Sequence, residues 1–353
     1  MKNLFYITFL SALFFSCSDN NTQNNEQVSD TTETSENKEL NIYTLRHYEV
    51  DEEIYKAFEK ETGIKINAHK GKSDDILFKL KNEGNLSTAD LLLTADAGKM
   101  ERAKLDGLLQ PFTSGGLDTL VPSFFIDSND YWVSITARAR AIVYDSSKIT
   151  PSEIVSFENL TSKKFEGNIL VRSSESSYNQ SLLAGLIAHL GYDEAKKWAK
   201  SIVKNMAREP KGNDRSQAKA VYAGVGSVAI MNTYYIGKML NSDNTQEKDV
   251  AEALNIYYPN QSTYGTHVNS SAIAITKYAP HKENADKFIQ FLLAKKQQAL
   301  LMNTNHEFPV NSNVEYSDML KSLGKFKMDT LHLSNLGKHH AEALKIFDEV
   351  NWN

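Results

Sequence analysis

Strand-like and helix-like segments alternate from residue 41 onward, and this order restricts the chain to a layered α/β fold. The strand-like segments are short, and the third is a nearly continuous apolar run typical of a buried parallel strand. The helix-like segments place apolar residues at helical spacing. The predicted elements are strands at 41–46, 64–69 and 89–96, helices at 51–63 and 74–84, and a third helix at AGKMERAKLDG. This order predicts an open α/β domain with right-handed crossovers.

The rest of the chain continues the alternation and predicts a second α/β unit. YWVSITARARAIVYD (131–145) is typical of one or two long strands, and GNILVRS (167–173) and SSAIAITKYA (270–279) are typical of shorter ones. Helices are predicted at 181–191, at 192–206 and, as one long amphipathic helix, at 282–303. No Pro- or Gly-rich hinge separates the units, so the chain is expected to cross between two lobes on strands. Ligands of such folds bind in the crevice between the lobes.

Composition and motifs argue against several classes of function. The formal net charge of −5 argues against a nucleic-acid-binding protein, because such a protein needs basic groups to neutralise phosphates. The segment GKS (71–73) does not complete a phosphate-binding loop, because Ile66 occupies the position where that motif requires glycine. His339 and His340 are not expected to bind one metal together, since adjacent helical residues point in different directions. They are instead expected on the solvated face of a C-terminal helix. Without an H-E-x-x-H, G-x-S-x-G or G-x-G-x-x-G motif, an enzyme is not expected.

The first residues predict an exported lipoprotein. MKNLFYITFLSALFFSC begins with Lys2, continues as an apolar run and ends at Cys17, the single cysteine of the chain. The run is too short for a permanent membrane span and resembles a bacterial lipoprotein signal peptide (residues 1–17), whose cysteine becomes lipid-modified. Residues 18–39 contain Val28 as their one apolar residue, so they cannot build a core and predict a disordered tether. The predicted localisation is extracytoplasmic, lipid-anchored to a bacterial membrane in the periplasm or at the cell surface.

Five candidate site residues fall at predicted strand-to-helix turns, where an inter-lobe crevice collects its ligand groups. His47 and Tyr48 follow the first strand, in LRHYEVDEE. Tyr178 lies in the serine-rich segment VRSSESSYNQS, and Tyr234 and Tyr235 follow the strand SVAIM. The chain has 16 tyrosines, so each of these could instead be half-buried with its hydroxyl hydrated.

The same residues belong to longer segments that resemble the iron(III)-binding proteins of bacterial ABC iron transporters, within the type II periplasmic-binding-protein fold. The segments run in family order from about residue 40: LRHYEVDEEIYKAFEKETGIKI, ADLLLTADAGKMERAKLDGLLQP, ARARAIVYDSSKI, LVRSSESSYNQSLLAGLIAHLG, KGNDRSQAKAVYAG, AIMNTYYIGKML and GTHVNSSAIAITKYAPHKENADKFIQFLL. The resemblance implies a two-lobe α/β protein, each lobe a mixed sheet flanked by helices, with Fe(III) in the cleft between them. It implies as metal ligands His47, Tyr48, Tyr178, Tyr234 and Tyr235.

The resemblance also implies how the chain is divided and what it works with. Residues 40–134 with about 260–310 are expected to form the N-lobe, and residues 135–259 with about 311–353 the C-lobe. The protein would capture iron and pass it to an ABC permease with its ATPase subunits. Both would be separate chains, because this sequence offers neither a later spanning segment nor a nucleotide site. The binding protein itself is expected to be a monomer.

The residue types suit Fe(III) independently of the resemblance. Fe(III) is a small, highly charged ion that prefers anionic oxygen donors such as phenolates. A free tyrosine has a pKa of about 10, so metal binding has to displace the phenol proton. Arg138 and Arg140 alternate on a predicted strand, and the resemblance implies that an arginine of this segment lies near the site. One of the two is therefore expected to offset phenolate charge or to hold an anion, the alternative being an arginine that faces solvent. With five protein ligands, carbonate or another synergistic anion is compatible with the site but not required.

Two other functions stay open at this point. A binding protein of the same fold could take another small ligand, such as an oxyanion, a polyamine or thiamine. Those ligands call for backbone and serine donors or for acidic-aromatic boxes rather than for clustered phenols. A lipid-anchored enzyme is disfavoured because no catalytic motif is present.

Overall fold

The computed structural model describes residues 38–72, 75–112 and 115–353. The predicted signal peptide, the lipidation at Cys17 and nearly all of the predicted tether therefore lie outside the described residues. Within the described ranges, no helix combines the length and the apolar character that crossing a membrane requires.

The described residues alternate strands and helices in the order that the sequence predicts. The strands are β1 (Glu39–Thr44), β2 (Lys65–Lys70), β3 (Leu91–Thr94), β4 (Leu109–Gln110), β5 (Val133–Tyr144), β6 (Ile169–Leu170), β7 (Val228–Asn232), β8 (Asn255–Tyr257) and β9 (Val268–Thr276). The helices are α1 (Glu49–Thr62), α2 (Asp75–Glu83), α3 (Ala97–Leu105), α4 (Ser177–Leu190), α5 (Tyr192–Asn205), α6 (Asp214–Tyr222), α7 (Tyr234–Leu240), α8 (Thr245–Ala253), α9 (Lys282–Leu293), α10 (Lys295–Asn305), α11 (Asp318–Ser322), α12 (Ser334–Lys338) and α13 (His340–Val350).

The strands follow one path in the order β2-β1-β3-β9-β5-β7-β6, and β5 belongs to both halves of it. β1 is parallel to β2 and to β3, which confirms the predicted parallel start of the fold. The first half of β5 pairs with β9 up to Ala139, and its second half pairs with β7 from Arg140 onward. All of β5 is buried. The chain thus passes from one half to the other within a strand, as predicted. The exact lobe boundaries stay a proposal.

Two buried apolar clusters underlie the sheet, and the larger one extends under both halves, since it also contains Ala229 and Met231 of β7. The larger one contains Phe58 of α1 and Phe288 of α9, whose rings meet edge to face at 4.9 Å. The smaller one joins Trp198 of α5 to Phe347 and Trp352 at the end of the chain. Because the last helix completes the second cluster, the C-terminal residues belong to the half that contains β6 and β7.

The predicted single helix over 282–303 is wrong, because the chain turns extended at Ala294 (φ −66°, ψ 147°) between α9 and α10. Two side chains donate hydrogen bonds to backbone carbonyls that would accept backbone N–H groups in a continuous helix. The amide of Gln298 donates to the carbonyl of Leu292, and the amide of Asn311 donates to the carbonyl of Leu293. A periodic apolar pattern does not reveal such distant side-chain partners.

The predicted strand over 167–173 is shorter in the structure, where β6 has two residues. The carbonyl of Arg172 accepts hydrogen bonds from the Asn179 amide and from the Trp352 indole instead of from a neighbouring strand. The backbone therefore leaves the sheet early and runs toward the start of α4.

Candidate metal centre

Each predicted tyrosine lies where a helix begins. Tyr48 immediately precedes α1, with an extended backbone (φ −96°, ψ 138°). Tyr178 is the second residue of α4, and Tyr234 and Tyr235 are the first two residues of α7, directly after β7. The predicted strand-to-helix placement is therefore found for all four side chains.

The three tyrosines of the second half form one group. The phenol oxygens of Tyr178 and Tyr234 lie 3.0 Å apart. The ring of Tyr235 stacks on that of Tyr234, with centroids 4.2 Å apart and planes at 29°. Tyr234 is buried, whereas Tyr178 and Tyr235 are half-buried. Adjacent residues in the first turn of a helix thus point into the same region.

Tyr48 joins this group from the other half of the sheet. The ammonium of Lys238 lies 5.0 Å from the centre of the Tyr48 ring and 5.7 Å from that of the Tyr234 ring. One cation therefore lies beside phenols from both halves. The guanidinium of Arg46 also lies close to Tyr48, at 4.6 Å from the centre of its ring. Arg46 is buried and is held by Asp51 at 2.9 Å.

The surroundings of Tyr48, Tyr234 and Tyr235 favour the protonated form of each phenol. Burial raises the pKa of Tyr234 well above its usual value, and the neighbouring Tyr48 and Tyr178 phenols raise it further. Burial also raises the pKa of Tyr48 strongly, with Glu307 adding to the effect. The pKa of Tyr235 is raised by burial in the same way. Phenolate therefore forms here only when a cation replaces the protons.

Arg138 provides positive charge within this group. It is buried, and its guanidinium lies 5.5 Å from the Tyr178 ring centre and 3.5 Å from the Glu307 carboxylate. Burial alone would lower the pKa of Arg138, but the facing Tyr48 and Tyr178 phenols and Glu307 raise it on balance. In return, Arg138 lowers the pKa of Tyr48 and of Tyr234 against the effect of burial. The solvent-facing alternative is wrong for this arginine.

Arg140 has a different position, although it is equally buried. Its guanidinium donates to Asp214 at 2.8 Å and to the side-chain oxygen of Asn179 at 2.8 Å. The same Asp214 carboxylate accepts the backbone N–H of Asn232 at 2.8 Å. Arg140 and Asp214 therefore connect the start of α4, which carries Tyr178, to the end of β7, which precedes Tyr234. The solvent-facing alternative is wrong for Arg140 too.

His47 is the least integrated of the predicted ligands. It is exposed, and its Nε2 lies 3.1 Å from the carbonyl oxygen of Gly71. Together with Lys72, Lys99 and Tyr178 it lines an open cleft of about 290 Å³. The structure thus puts His47 in the same cleft as Tyr178 without bringing its ring against the phenol group.

The C-terminal histidine pair differs from expectation. His339 and His340 are half-buried rather than on a solvated face, because His339 contacts Glu342 at 2.5 Å and His340 contacts Gln180 at 3.2 Å. Across the ranges given above, no group of three His, Cys, Asp or Glu is arranged to hold a metal ion.

Sequence reasoning missed the charged groups that surround the phenols. Glu307, Lys238 and Arg46 carry no motif of their own. Arg46 had a detectable signal, because it directly precedes the His47-Tyr48 pair. Glu307 comes from beyond α10 and is recognisable only from the fold, where the hydroxyl of Thr136 on β5 donates to it at 3.1 Å.

The two-part sheet and the cleft beside Tyr178 are typical of a solute-binding protein. Residues 87–328 match the family of bacterial extracellular solute-binding proteins, and the chain belongs to this family. The family resemblance predicted from the sequence is thereby confirmed.

Individual relatives show which kind of solute-binding protein the chain resembles. The chain is 43% identical over 317 residues to iron uptake protein A1 of Synechocystis, covering 90% of this chain and 88% of the relative. Among solved structures, the Trichodesmium protein IdiA (FutA) in complex with iron and citrate is 40% identical, with a TM-score of 0.86 over 89% of this chain and 100% of that chain. A ferric binding protein from Campylobacter jejuni is 42% identical, with a TM-score of 0.84 over 89% of this chain and 100% of that chain.

Proposed function

We propose that this protein captures Fe(III) between its two lobes through phenolate oxygens and delivers it to an ABC permease for uptake. The observation that carries the proposal is the meeting of Tyr48 from one half of the sheet with Tyr178, Tyr234 and Tyr235 from the other. Its relatives support the choice of metal, because an iron uptake protein and a ferric binding protein are each more than 40% identical to this chain over the aligned residues.

The chemistry of the group favours a trivalent, hard cation. Four phenolates would carry four negative charges, and Fe(III) would balance three of them. Arg138 and Lys238, which both lie beside these phenols, would together offset the remaining phenolate charge and that of Glu307 without a bound anion. Carbonate or another synergistic anion is thus compatible with the site and not required. Neutral buried phenols release their protons only to a metal that binds oxygen strongly, which disfavours weakly binding divalent ions.

Ligands on two lobes make the metal a bridge between them. Tyr48 and, on closure, His47 would come from the first lobe, and the three remaining tyrosines from the second. A ligand that contacts both halves stabilises the closed arrangement over the open one. The closed form is the state that a permease would recognise.

The rest of the proposal concerns where the protein works. The family places it outside the cytoplasm. We propose that a lipid at Cys17 anchors it to the membrane, that the permease and ATPase subunits are separate partners, and that it acts as a monomer. Its function is capture and delivery, with no catalytic step.

The visible spectrum tests the proposal. Adding ferric citrate to metal-free protein is expected to produce a phenolate-to-iron charge-transfer band. Replacing both Tyr234 and Tyr235 by phenylalanine is expected to abolish the band while the circular dichroism of the fold is retained. Replacing exposed Tyr222 by phenylalanine is the matched control and leaves the band unchanged. A band that survives the double replacement contradicts the ligand assignment.

A further inference from the structure

Large apolar side chains gather at the end of the first half of the sheet that lies away from the tyrosines. Phe78 on α2, Leu86 just after α2 and Leu105 at the end of α3 are 68%, 83% and 61% exposed, the three highest values among large apolar residues in the part of the chain described. Tyr278, after β9, is 46% exposed. Exposed apolar side chains are unremarkable singly, but a contiguous group of them marks an interaction surface.

Three chain segments, which carry these side chains or their immediate neighbours in sequence, meet at one depression. Lys81 and Gly84 from α2 and its continuation, Asp106 from the turn after α3, and Tyr278 line one shallow depression of about 200 Å³. The backbone N–H of Lys277 donates to the carbonyl of Leu108 at 2.8 Å, which joins the second and third segments. Phe78 lies three residues before Lys81 on α2, so the two share one face of that helix. We call Phe78, Leu86, Leu105 and Tyr278 the apolar end surface.

This surface lies at the end of the sheet where the chain enters the described fold. β1 begins at Glu39 and runs parallel to β3, and His47 and Tyr48 follow the opposite, carboxyl end of β1. His281 contacts Glu39 at 3.8 Å and Asp90 at 3.0 Å, so the starts of β1 and β3 are adjacent. Asp90 follows Leu86 by four residues. The apolar end surface therefore surrounds the point at which the predicted tether would arrive.

We propose that the apolar end surface rests on the lipid bilayer to which the chain is anchored. The inference depends on the proposed lipidation of Cys17. Lys38 follows Cys17 by 21 positions, so the length of the connection keeps this end within about 75 Å of the anchor. Because the anchor holds this surface near the bilayer, even a low intrinsic affinity of the surface for lipid is sufficient for contact.

The chemistry of the surface suits a bilayer interface. Phenylalanine and leucine insert among acyl chains near the headgroups, and tyrosine favours the headgroup level. Lys81 and Lys277 border the depression, and lysine stems cover apolar surface while their ammonium groups reach anionic lipid. Asp106 is the carboxylate of the depression and would have to remain on its aqueous rim. Contact at this end leaves the tyrosine cleft at the far end of the strands accessible to solvent.

A spin label near the surface tests the proposal on the full-length lipoprotein. The label is placed at N85C, an exposed position beside Leu86, and in a matched sample at Y222C, equally exposed on the other half. After mass spectrometry of acylated Cys17, each sample is reconstituted into vesicles of phosphatidylethanolamine and phosphatidylglycerol. We expect collisions with a water-soluble nickel chelate to fall several-fold at position 85 relative to detergent, and to stay unchanged at position 222. Adding F78S and L86S is expected to restore the collisions at position 85.

Three results would overturn the proposal. The first is equal nickel access at position 85 in vesicles and in detergent. The second is shielding that appears only after the permease complex is added, which would make this a protein-docking surface. The third is an unacylated Cys17. The iron band measured on the same samples separates this proposal from that of function, because loss of shielding with a normal band refutes only the membrane contact.

Discussion

The phenol oxygens of Tyr178 and Tyr234 lie 3.0 Å apart, although 56 residues separate them in the chain. Two neutral phenols at this distance share a hydrogen bond, whereas two phenolates would repel each other unless a cation lay between them. With Tyr48 facing them from the other half of the sheet, the proposed site would carry neutral phenols in the metal-free protein and would become anionic as metal displaced their protons.

Replacing Tyr178 by phenylalanine removes one oxygen donor and keeps the ring. We expect the affinity for Fe(III) to fall by about a hundredfold or more, because loss of a partner that merely orients a ligand already costs 10–100-fold. Competition with citrate measures the change. The Tyr222→Phe variant provides the reference, and equal affinities of the two variants would contradict a role for Tyr178 as ligand.

Replacing Arg138 by methionine is expected to make the phenols harder to ionise. The guanidinium lowers the pKa of Tyr48 and Tyr234, so its removal raises both and shifts the onset of iron binding to higher pH. It also leaves the buried Glu307 without its ion-pair partner, which is expected to destabilise the fold by roughly 3–5 kcal/mol.

A double variant separates these two effects of Arg138. Adding Glu307→Gln to Arg138→Met removes the unpaired charge, so the unfolding midpoint in urea is expected to recover while the charge offset stays absent. Measuring the iron charge-transfer band as a function of pH shows the loss of the charge offset. If the onset of binding in the double variant equals that of the unchanged protein, Arg138 does not offset phenolate charge.

Iron binding is expected to weaken steeply in acid. Tyr48, Tyr234 and Tyr235 all have a pKa raised by burial, so each holds its proton at neutral pH in the metal-free protein. Binding displaces these protons, and the logarithm of the affinity rises by about one per pH unit for each proton released. A slope of roughly two or more between pH 5 and 8, after correction for the competing chelator, supports phenolate ligation. A flat profile contradicts it.

His267 is expected to limit stability in acid. Burial lowers its pKa from 6.5 to about 4, with Arg140 and His189 adding to the effect and Asp329 opposing it. The folded state favours the neutral ring, so its stabilisation is present above pH 6.5 and is lost as the pH falls from 6.5 toward 4. The loss amounts to about 3 kcal/mol.

Urea unfolding of the metal-free protein at several pH values measures the effect of His267. The His267→Gln variant is expected to show a much shallower fall in the free energy of unfolding between pH 6.5 and 4. His47→Gln is the control, because that histidine is exposed. Equal pH dependence in the unchanged protein and in His267→Gln would show that other groups govern acid stability.

Gln298 is expected to be important for the break between α9 and α10. Its buried amide donates to the carbonyls of Ile135 and Leu292 and accepts from the N–H of Val310. Gln298→Leu leaves these backbone groups without that partner, at about 1–3 kcal/mol for each buried group, so a loss of about 3 kcal/mol or more is expected. Thermal unfolding beside Gln290→Leu, an exposed position on α9, measures the difference. Equal melting temperatures would refute the role of Gln298.

Local patterns were sufficient to predict the order of elements and the place of the tyrosines. The alternating apolar segments predict β1 to β3 with their helices, and the pair Tyr234-Tyr235 follows a strand of continuous apolar residues. A tyrosine at the start of a helix after a buried strand is a local feature, and therefore readable from sequence. That these residues act as metal ligands stays a prediction.

Long-range partners could not be predicted in this way. Ala294 interrupts a periodic apolar pattern because Asn311, 17 residues further along, takes a backbone carbonyl from α9. Glu307 reaches the tyrosines only after α10 has been packed on the sheet. Arg138 and Arg140 have the same sequence pattern, yet the first faces phenols and the second joins Asp214 and Asn179. The difference depends on which strand each half of β5 pairs with.

A crystal structure of the iron-loaded protein, with anomalous scattering recorded at the iron absorption edge, tests the central claim most directly. The account predicts one strong iron peak within bonding distance of the phenol oxygens of Tyr48, Tyr178, Tyr234 and Tyr235. An iron peak elsewhere, or one held by carboxylates and water with these four hydroxyls turned away, would contradict it.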